Sequence, residues 1–160
     1  PAAFLEARQK LRARQLLLAR FKESGRGVLF GTDSFWQGVD VRGEALSCVI
    51  ITRLPFEVPT EPLQMARMED LKARGRDPFR AFALPQAVLK LRQGFGRLIR
   101  SRTDRGAVIV LDKRMATKSY GRTFMRSLPP VRAVVGERAA LLGELEEFFE
   151  ERARSPAGSP

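Results

Sequence analysis

The chain contains no histidine and only one cysteine, Cys48. Without histidine there is no imidazole to act as a general base or to ligate a metal. A lone cysteine can close no internal disulfide and can build no thiolate cluster within the chain. It suits a reducing, cytoplasmic setting. No apolar run approaches the roughly 20 residues that a membrane-spanning helix needs, so no membrane partner is expected. No signal peptide opens the chain, and no internal repeat is visible. Acidic residues are also few, 18 against 29 lysines and arginines, for a formal charge of +11.

What remains is a globular composition. The 160 residues are 44% hydrophobic, enough for one domain with a buried core. The charge is uneven. Residues 137–160 hold six glutamates and three arginines, a net −3, which leaves +14 on the preceding 136 residues. Such an excess favours a polyanionic partner, nucleic acid before nucleotide before membrane. A background rich in arginine without purpose is the plainer alternative.

Apolar periodicity predicts a helix over residues 4–22, with Phe4, Ala7, Leu11, Leu18 and Phe21 inward, stopped by Ser24-Gly25-Arg26-Gly27. Val28-Leu29-Phe30, Ser47 to Thr52 and Ala107 to Leu111 read as three strands buried on both faces. Thr60 is the expected N-cap of a helix with Pro62 in its first turn and an end at Gly75, in which Met65 and Met68 would fill core. Arg74 to Pro78 and Ser101 to Arg105 read as turns, and Lys118 to Arg122 opens a short helix closed by Pro129-Pro130. Alternating helices and strands imply an α/β domain with a mostly parallel sheet over residues 1–136. Residues 137–152 form an acidic helix with Leu141, Leu145, Phe148 and Phe149 on one side, expected to pack on the domain. Residues 153–160 read as a disordered tail.

Two stretches carry chemistry. The first follows Val28-Leu29-Phe30 and runs from Gly31 to Asp40, where ligands bind in open α/β sheets. Gly31 and Gly38 permit tight turns, Thr32 and Ser34 can donate to phosphate, and Asp40 can accept from a sugar hydroxyl. Phe35 and Trp36 offer a stacking surface or, more simply, core. The second stretch is Gln93-Gly94-Phe95-Gly96-Arg97-Leu98-Ile99-Arg100. It closes a helix whose apolar face is Leu84, Val88, Leu91, Phe95 and Leu98. Gln86, Lys90, Gln93, Arg97 and Arg100 share another face. Two guanidiniums on adjacent turns repel unless an anion lies between them, and their planar forks match phosphate oxygens. The alternative is an ordinary solvated basic face. Gly94 and Gly96 each cost roughly 1 kcal/mol in a helix interior, which points to close approach by another group.

With both stretches in view, the chain resembles the second motor domain of superfamily 2 DNA helicases of the DinG/XPD-like group. Phe30 to Asp40 is similar to helicase motif V. Gln93 to Arg100 is similar to motif VI, of the form Q-x-x-G-R-x-I-R. Leu54-Pro55-Phe56, Asp77-Pro78-Phe79, Leu111-Asp112-Lys113-Arg114 and Tyr120-Gly121 also resemble the DinG branch, and the likeness covers about residues 15 to 130.

The resemblance implies a RecA-like three-layer domain with an extra C-terminal helix, part of a motor that moves 5′ to 3′ on single-stranded DNA. It implies that Arg97 and Arg100 reach the γ-phosphate of ATP held with Mg²⁺ by the first motor domain in cis. An arginine finger is worth about 10³–10⁵ in rate where measured. Gln93 would sense the nucleotide, Gly38 and Asp40 would approach its sugar or phosphates, and Thr32, Asp33 and Ser34 would meet the DNA backbone. Gln37 stands where many relatives carry Glu, and no catalytic role is assigned to it. The chain has no G-x-x-x-x-G-K-[ST] phosphate loop and no D-E-A-H-type motif. Motif IV is truncated, and the four cysteines that hold an iron–sulfur cluster in many relatives are absent from this chain. The resemblance therefore implies that the chain alone does not hydrolyse ATP, and that any iron–sulfur cluster belongs to the parent protein. A non-catalytic nucleic-acid-binding module of the same fold is the alternative, and a protein-interaction domain using the acidic helix is a third reading.

Overall fold

The computed structural model describes residues 2–32, 46–98 and 105–154, with side chains except those of residues 2–11, 97 and 98. Helix α1 spans Ala2–Ser24, strand β1 Cys48–Ile51, helix α2 Pro62–Ala73 and helix α3 Leu84–Leu98. Strand β2 spans Ala107–Val110, helix α4 Arg114–Thr117, helix α5 Gly121–Ser127 and helix α6 Arg138–Arg154. A π-helical turn, Phe79–Ala83, leads directly into α3.

Strands β1 and β2 pair in parallel, with Cys48 opposite Ala107 and Ile51 opposite Val110. The ladder is extended by the Ala107 N–H donating to the Ser47 carbonyl at 3.0 Å and the Leu111 N–H donating to the Ile51 carbonyl at 2.9 Å. A parallel pair needs a crossover between its strands, and α2, the π-helical turn and α3 occupy that stretch of chain. The core lies where α3 meets β1 and α5: Ile51, Leu54, Ala87, Leu91 and Phe124 are buried together. Val49, Val88, Val108, Val110, Met115 and Leu128 pack around them.

The helix stops follow from backbone chemistry. At the end of α2 the Arg76 N–H donates to the Leu71 carbonyl at 2.9 Å, and the Gly75 N–H donates to the Lys72 carbonyl at 3.0 Å. Gly75 has φ +71°, so this is the left-handed glycine stop that satisfies the last carbonyls of a helix. After α5, Leu128 is extended (φ −79°, ψ 154°) because Pro129 disfavours the helical region in the residue before it.

Several expectations are corrected. Val28-Leu29-Phe30 is not a strand; Val28 is 79% and Phe30 90% exposed. Three apolar residues do not make a strand unless a neighbour takes their backbone hydrogen bonds, and the sheet among the described residues has two strands only. Those two are not buried on both faces, since Ile50 is exposed and β2 is half-buried. The described architecture is thus a set of helices with a small two-stranded parallel sheet.

Helix α2 is capped by Glu61 rather than Thr60, with no side-chain cap bond, and it buries no residue. Met65 is exposed, not core. Leu63, Met65, Met68 and Leu71 spread over roughly 200° of the helix circumference, too wide for one buried stripe.

Helix α6 runs to Arg154, two residues past the expected end, and none of its residues is buried. Leu141, Leu145, Phe148 and Phe149 are half-buried, and Arg132 holds Glu144 at 2.5 Å. The side chains of Phe4, Ala7, Leu11 and Leu98, the turn at 101–104 and residues 155–160 lie outside the description. No helix of the described residues is long and apolar enough to cross a membrane.

Candidate functional site

Helix α3 is the element on which the site depends. Its anchor is the predicted apolar face: Leu91 and Phe95 are buried, Leu84 and Val88 are half-buried, and Ala87 adds a buried contact between them. At its entry, the Asp77 carboxylate accepts the Phe79 N–H at 2.9 Å. The Ala81 N–H donates to the Asp77 carbonyl at 2.9 Å.

On the polar face, Gln93 is exposed. Arg97 lies on α3, but its side chain, like the whole of Arg100, falls outside the description. Lys90, which shares that face in sequence, forms an ion pair with Glu57 of the loop after β1. Lys90 holds the Glu57 carboxyl below its ordinary value, helped by the Gln64 side-chain amide at 3.1 Å. Lys90 is therefore engaged in tying α3 to that loop rather than standing with the arginines. The two glycines separate as well. Gly94 is buried, whereas a Cβ added at Gly96 would meet nothing within 4 Å. Close approach within the described chain does not account for Gly96.

Of the motif V-like residues, Thr32 is described and exposed. Asp33, Ser34, Gly38 and Asp40, with Phe35 and Trp36, lie outside the described residues. The structure therefore neither joins nor separates the two predicted halves of the site. No group of three or more acidic or cysteine side chains that could hold a metal ion occurs among the described residues.

A second cluster was not foreseen from single positions. Asp112 follows β2, and its side chain is only 7% exposed. Its carboxylate accepts the Leu54 N–H at 2.9 Å and the Arg114 N–H at 3.0 Å. The Arg114 guanidinium forks onto the same carboxylate, with its closest contact at 2.6 Å. This pairing, with the two backbone donors, holds the Asp112 carboxyl far below the usual carboxylate range and raises the guanidinium of Arg114 further.

Arg114 also lies over the Phe56 ring, 5.4 Å from its centroid. Phe56 in turn meets Phe79 at 5.5 Å, Tyr120 at 5.6 Å and Phe124 at 5.7 Å between ring centroids. Beside them, Gly121 packs so closely on α4 that an added Cβ would lie 1.9 Å from the Met115 carbonyl oxygen. The four secondary segments singled out in the sequence thus converge on one knot, which fixes the loop after β1 and the start of α3. Their groups bond and pack against one another, so the knot braces the loop after β1 against the start of α3.

Residues 3–131 match the helicase C-terminal domain family. The chain belongs to that family. It is 55% identical over 113 residues to the ATP-dependent DNA helicase YoaA of Haemophilus influenzae, covering 71% of this chain and 18% of that protein. It is 54% identical over 114 residues to YoaA of Escherichia coli, with the same coverage of 71% and 18%. It is 48% identical over 113 residues to the 3′-5′ exonuclease DinG of Bacillus subtilis, covering 71% of this chain and 12% of that protein. The chain therefore spans less than a fifth of the length of these relatives. The helicase C-terminal domain is a DinG-like one, and the small parallel sheet with its helices is compatible with that membership.

Proposed function

We propose that this chain is the C-terminal motor domain of an ATP-dependent 5′–3′ DNA helicase. Arg97 and Arg100 supply positive charge to the γ-phosphate of ATP bound by the first motor domain in cis. Gln93 reads the state of the nucleotide, Gly38 and Asp40 contact its sugar or phosphates, and Thr32, Asp33 and Ser34 contribute to the track for single-stranded DNA. The first motor domain holds Mg²⁺ and the phosphate loop, so this chain alone does not turn over ATP. Residues 1–136 form the motor domain, completed to a RecA-like three-layer fold, with the acidic helix appended and the last residues as a tail.

The observation that carries the reading is α3. A helix anchored by Ala87, Leu91 and Phe95 leaves Gln93 exposed on the same rigid rod whose backbone continues to Arg97. Phosphoryl transfer asks for little from a protein beyond such fixed, well-aimed charge.

The test is single-stranded-DNA-stimulated ATP hydrolysis by the polypeptide carrying both motor domains, with Arg97→Ala and Arg100→Ala and with nucleotide binding followed in parallel. Turnover is expected to fall by about 10³-fold or more while ATP still binds. Unchanged turnover would leave the arginines as a basic face and favour a non-catalytic DNA-binding module. A strand-displacement assay belongs beside it, because one 48%-identical relative is a 3′-5′ exonuclease.

A further inference from the structure

Between α5 and α3 lies an open pocket of about 580 Å³, lined by Val88, Ser119, Arg122, Thr123, Arg126 and Ser127. We infer that this pocket is a phosphate-binding subsite for the backbone of single-stranded nucleic acid. None of its lining residues belongs to the stretches that carry the motif V and motif VI resemblance. The inference extends the DNA-track part of the reading above and rests on it for the identity of the strand.

Helix α5 is built to present this face. Phe124 and Gly121 are buried on one side, against the core and α4. Arg122 and Arg126, and Thr123 and Ser127, are two pairs four residues apart on α5, and Ser119 sits in the turn just before the helix; all five line the same pocket. On a surface helix the apolar stripe faces the core and the polar residues lie opposite it. Here the pocket lining carries two guanidiniums and three hydroxyls over a single apolar contact, Val88.

The Ser127 hydroxyl already donates to the Phe124 carbonyl at 2.6 Å. Ser119 and Thr123 have no such partner, and neither Arg122 nor Arg126 has an ion pair or hydrogen bond among the described residues. Arg74, Arg114, Arg132 and Arg154 each hold a carboxylate, whereas several exposed arginines do not; what sets Arg122 and Arg126 apart is that both line one pocket together with hydroxyls.

Two guanidiniums one helical turn apart, with no ion pair among the described residues, repel each other, and an anion between them relieves that repulsion. Guanidinium forks and hydroxyl donors are the groups that bind phosphate oxygens. Among the described residues its lining has no aromatic side chain to stack a base and no carboxylate to read a base edge, which suits recognition of backbone without sequence preference. A polyanion is also what the +11 charge of the chain attracts.

The experiment is binding of fluorescent oligothymidylate to this chain over a range of salt, comparing wild type with Arg122→Ala/Arg126→Ala and Arg122→Lys/Arg126→Lys. Both arginines are exposed, so circular dichroism should show the same fold in all three. In the alanine variant affinity should fall, and the log–log salt slope should become shallower by about 1.4, two single-strand phosphates at ~0.7 each. The lysine variant keeps the charge and should keep the slope, losing only affinity through the missing forks. In the two-motor polypeptide, the alanine variant should need more DNA for half-maximal ATP turnover but reach the same maximum.

The inference is overturned if the wild-type chain binds no oligothymidylate, or if the alanine variant keeps the wild-type slope. It is also overturned if polyglutamate displaces the oligonucleotide more effectively than unlabelled oligothymidylate does, which would mark an acidic-protein site. Loss of turnover in Arg97→Ala without any slope change there separates the fate of this subsite from that of the motor reading.

Discussion

Replacing Asp112 tests the knot that positions α3. In Asp112→Ala the Leu54 N–H loses its acceptor, and Leu54 is only 3% exposed, so water cannot easily replace it. A buried donor left unsatisfied costs about 1–3 kcal/mol. The Arg114 guanidinium loses its fork as well, but its side chain is 39% exposed and can rehydrate, so we add only about 1 kcal/mol for it. The expected loss is therefore about 3 kcal/mol for Asp112→Ala. Asp112→Asn keeps one acceptor oxygen and should lose roughly 1–2 kcal/mol.

The assay is urea unfolding followed by circular dichroism, at neutral pH and then down a pH series. The Asp112 carboxyl titrates lower in the folded state than in the unfolded chain, because Arg114 and two backbone donors favour the ionised form. Below the unfolded value of about 3.9 the unfolded chain binds the extra proton, so this contribution shrinks as pH falls and is present in full above it. The gap between wild type and Asp112→Asn should therefore narrow below about pH 4. A loss under about 0.5 kcal/mol in Asp112→Ala, or a gap that does not change with pH, would refute the account, since ordinary surface substitutions do no more.

Two further substitutions separate the glycines by environment. Gly121→Ala places a methyl 1.9 Å from the Met115 carbonyl oxygen, a backbone atom, so α4 and α5 must move apart. A loss of about 1–3 kcal/mol in thermal unfolding is expected, and an unchanged midpoint would show that the two helices are not held this closely. Gly96→Ala meets nothing within 4 Å and sits inside α3, so it should stabilise the chain by up to about 1 kcal/mol. If DNA-stimulated turnover of the two-motor polypeptide collapses in that variant, Gly96 serves close approach by a group outside the described chain. If turnover persists, the glycine is dispensable to the motor.

Local pattern reached some of this molecule and stopped where side chains meet across the fold. The face of α3 was legible because residues three and four apart share one side of a helix, and Leu91 and Phe95 are buried as that spacing requires. Gly75 was legible because a glycine after a helical run provides the left-handed stop. Val28 to Phe30 misled because an apolar run carries no information about whether a neighbouring strand exists to pair with it. Met65 misled because hydrophobicity was counted without asking whether its position shares a face with Leu63. Of the proposed site itself, Arg97 and Gln93 could be placed on one helix from sequence, while nothing in their spacing reports what they touch.

The sequence by itself determined the long helices, the two paired strands as apolar runs, the family through the Gln93 to Arg100 and Gly31 to Asp40 stretches, and the excess of positive charge, but not the short helix α4. These depend on residues within a few positions of one another, where backbone geometry converts spacing into shape. Only the tertiary structure decided that Asp112 holds Leu54, 58 residues away, that Lys90 is committed to Glu57, and that Arg122 and Arg126 line one pocket without an ion pair among the described residues. Which charges are spent on one another depends on distances between segments, and those distances exist only once β1, α3 and β2 have packed into a common core.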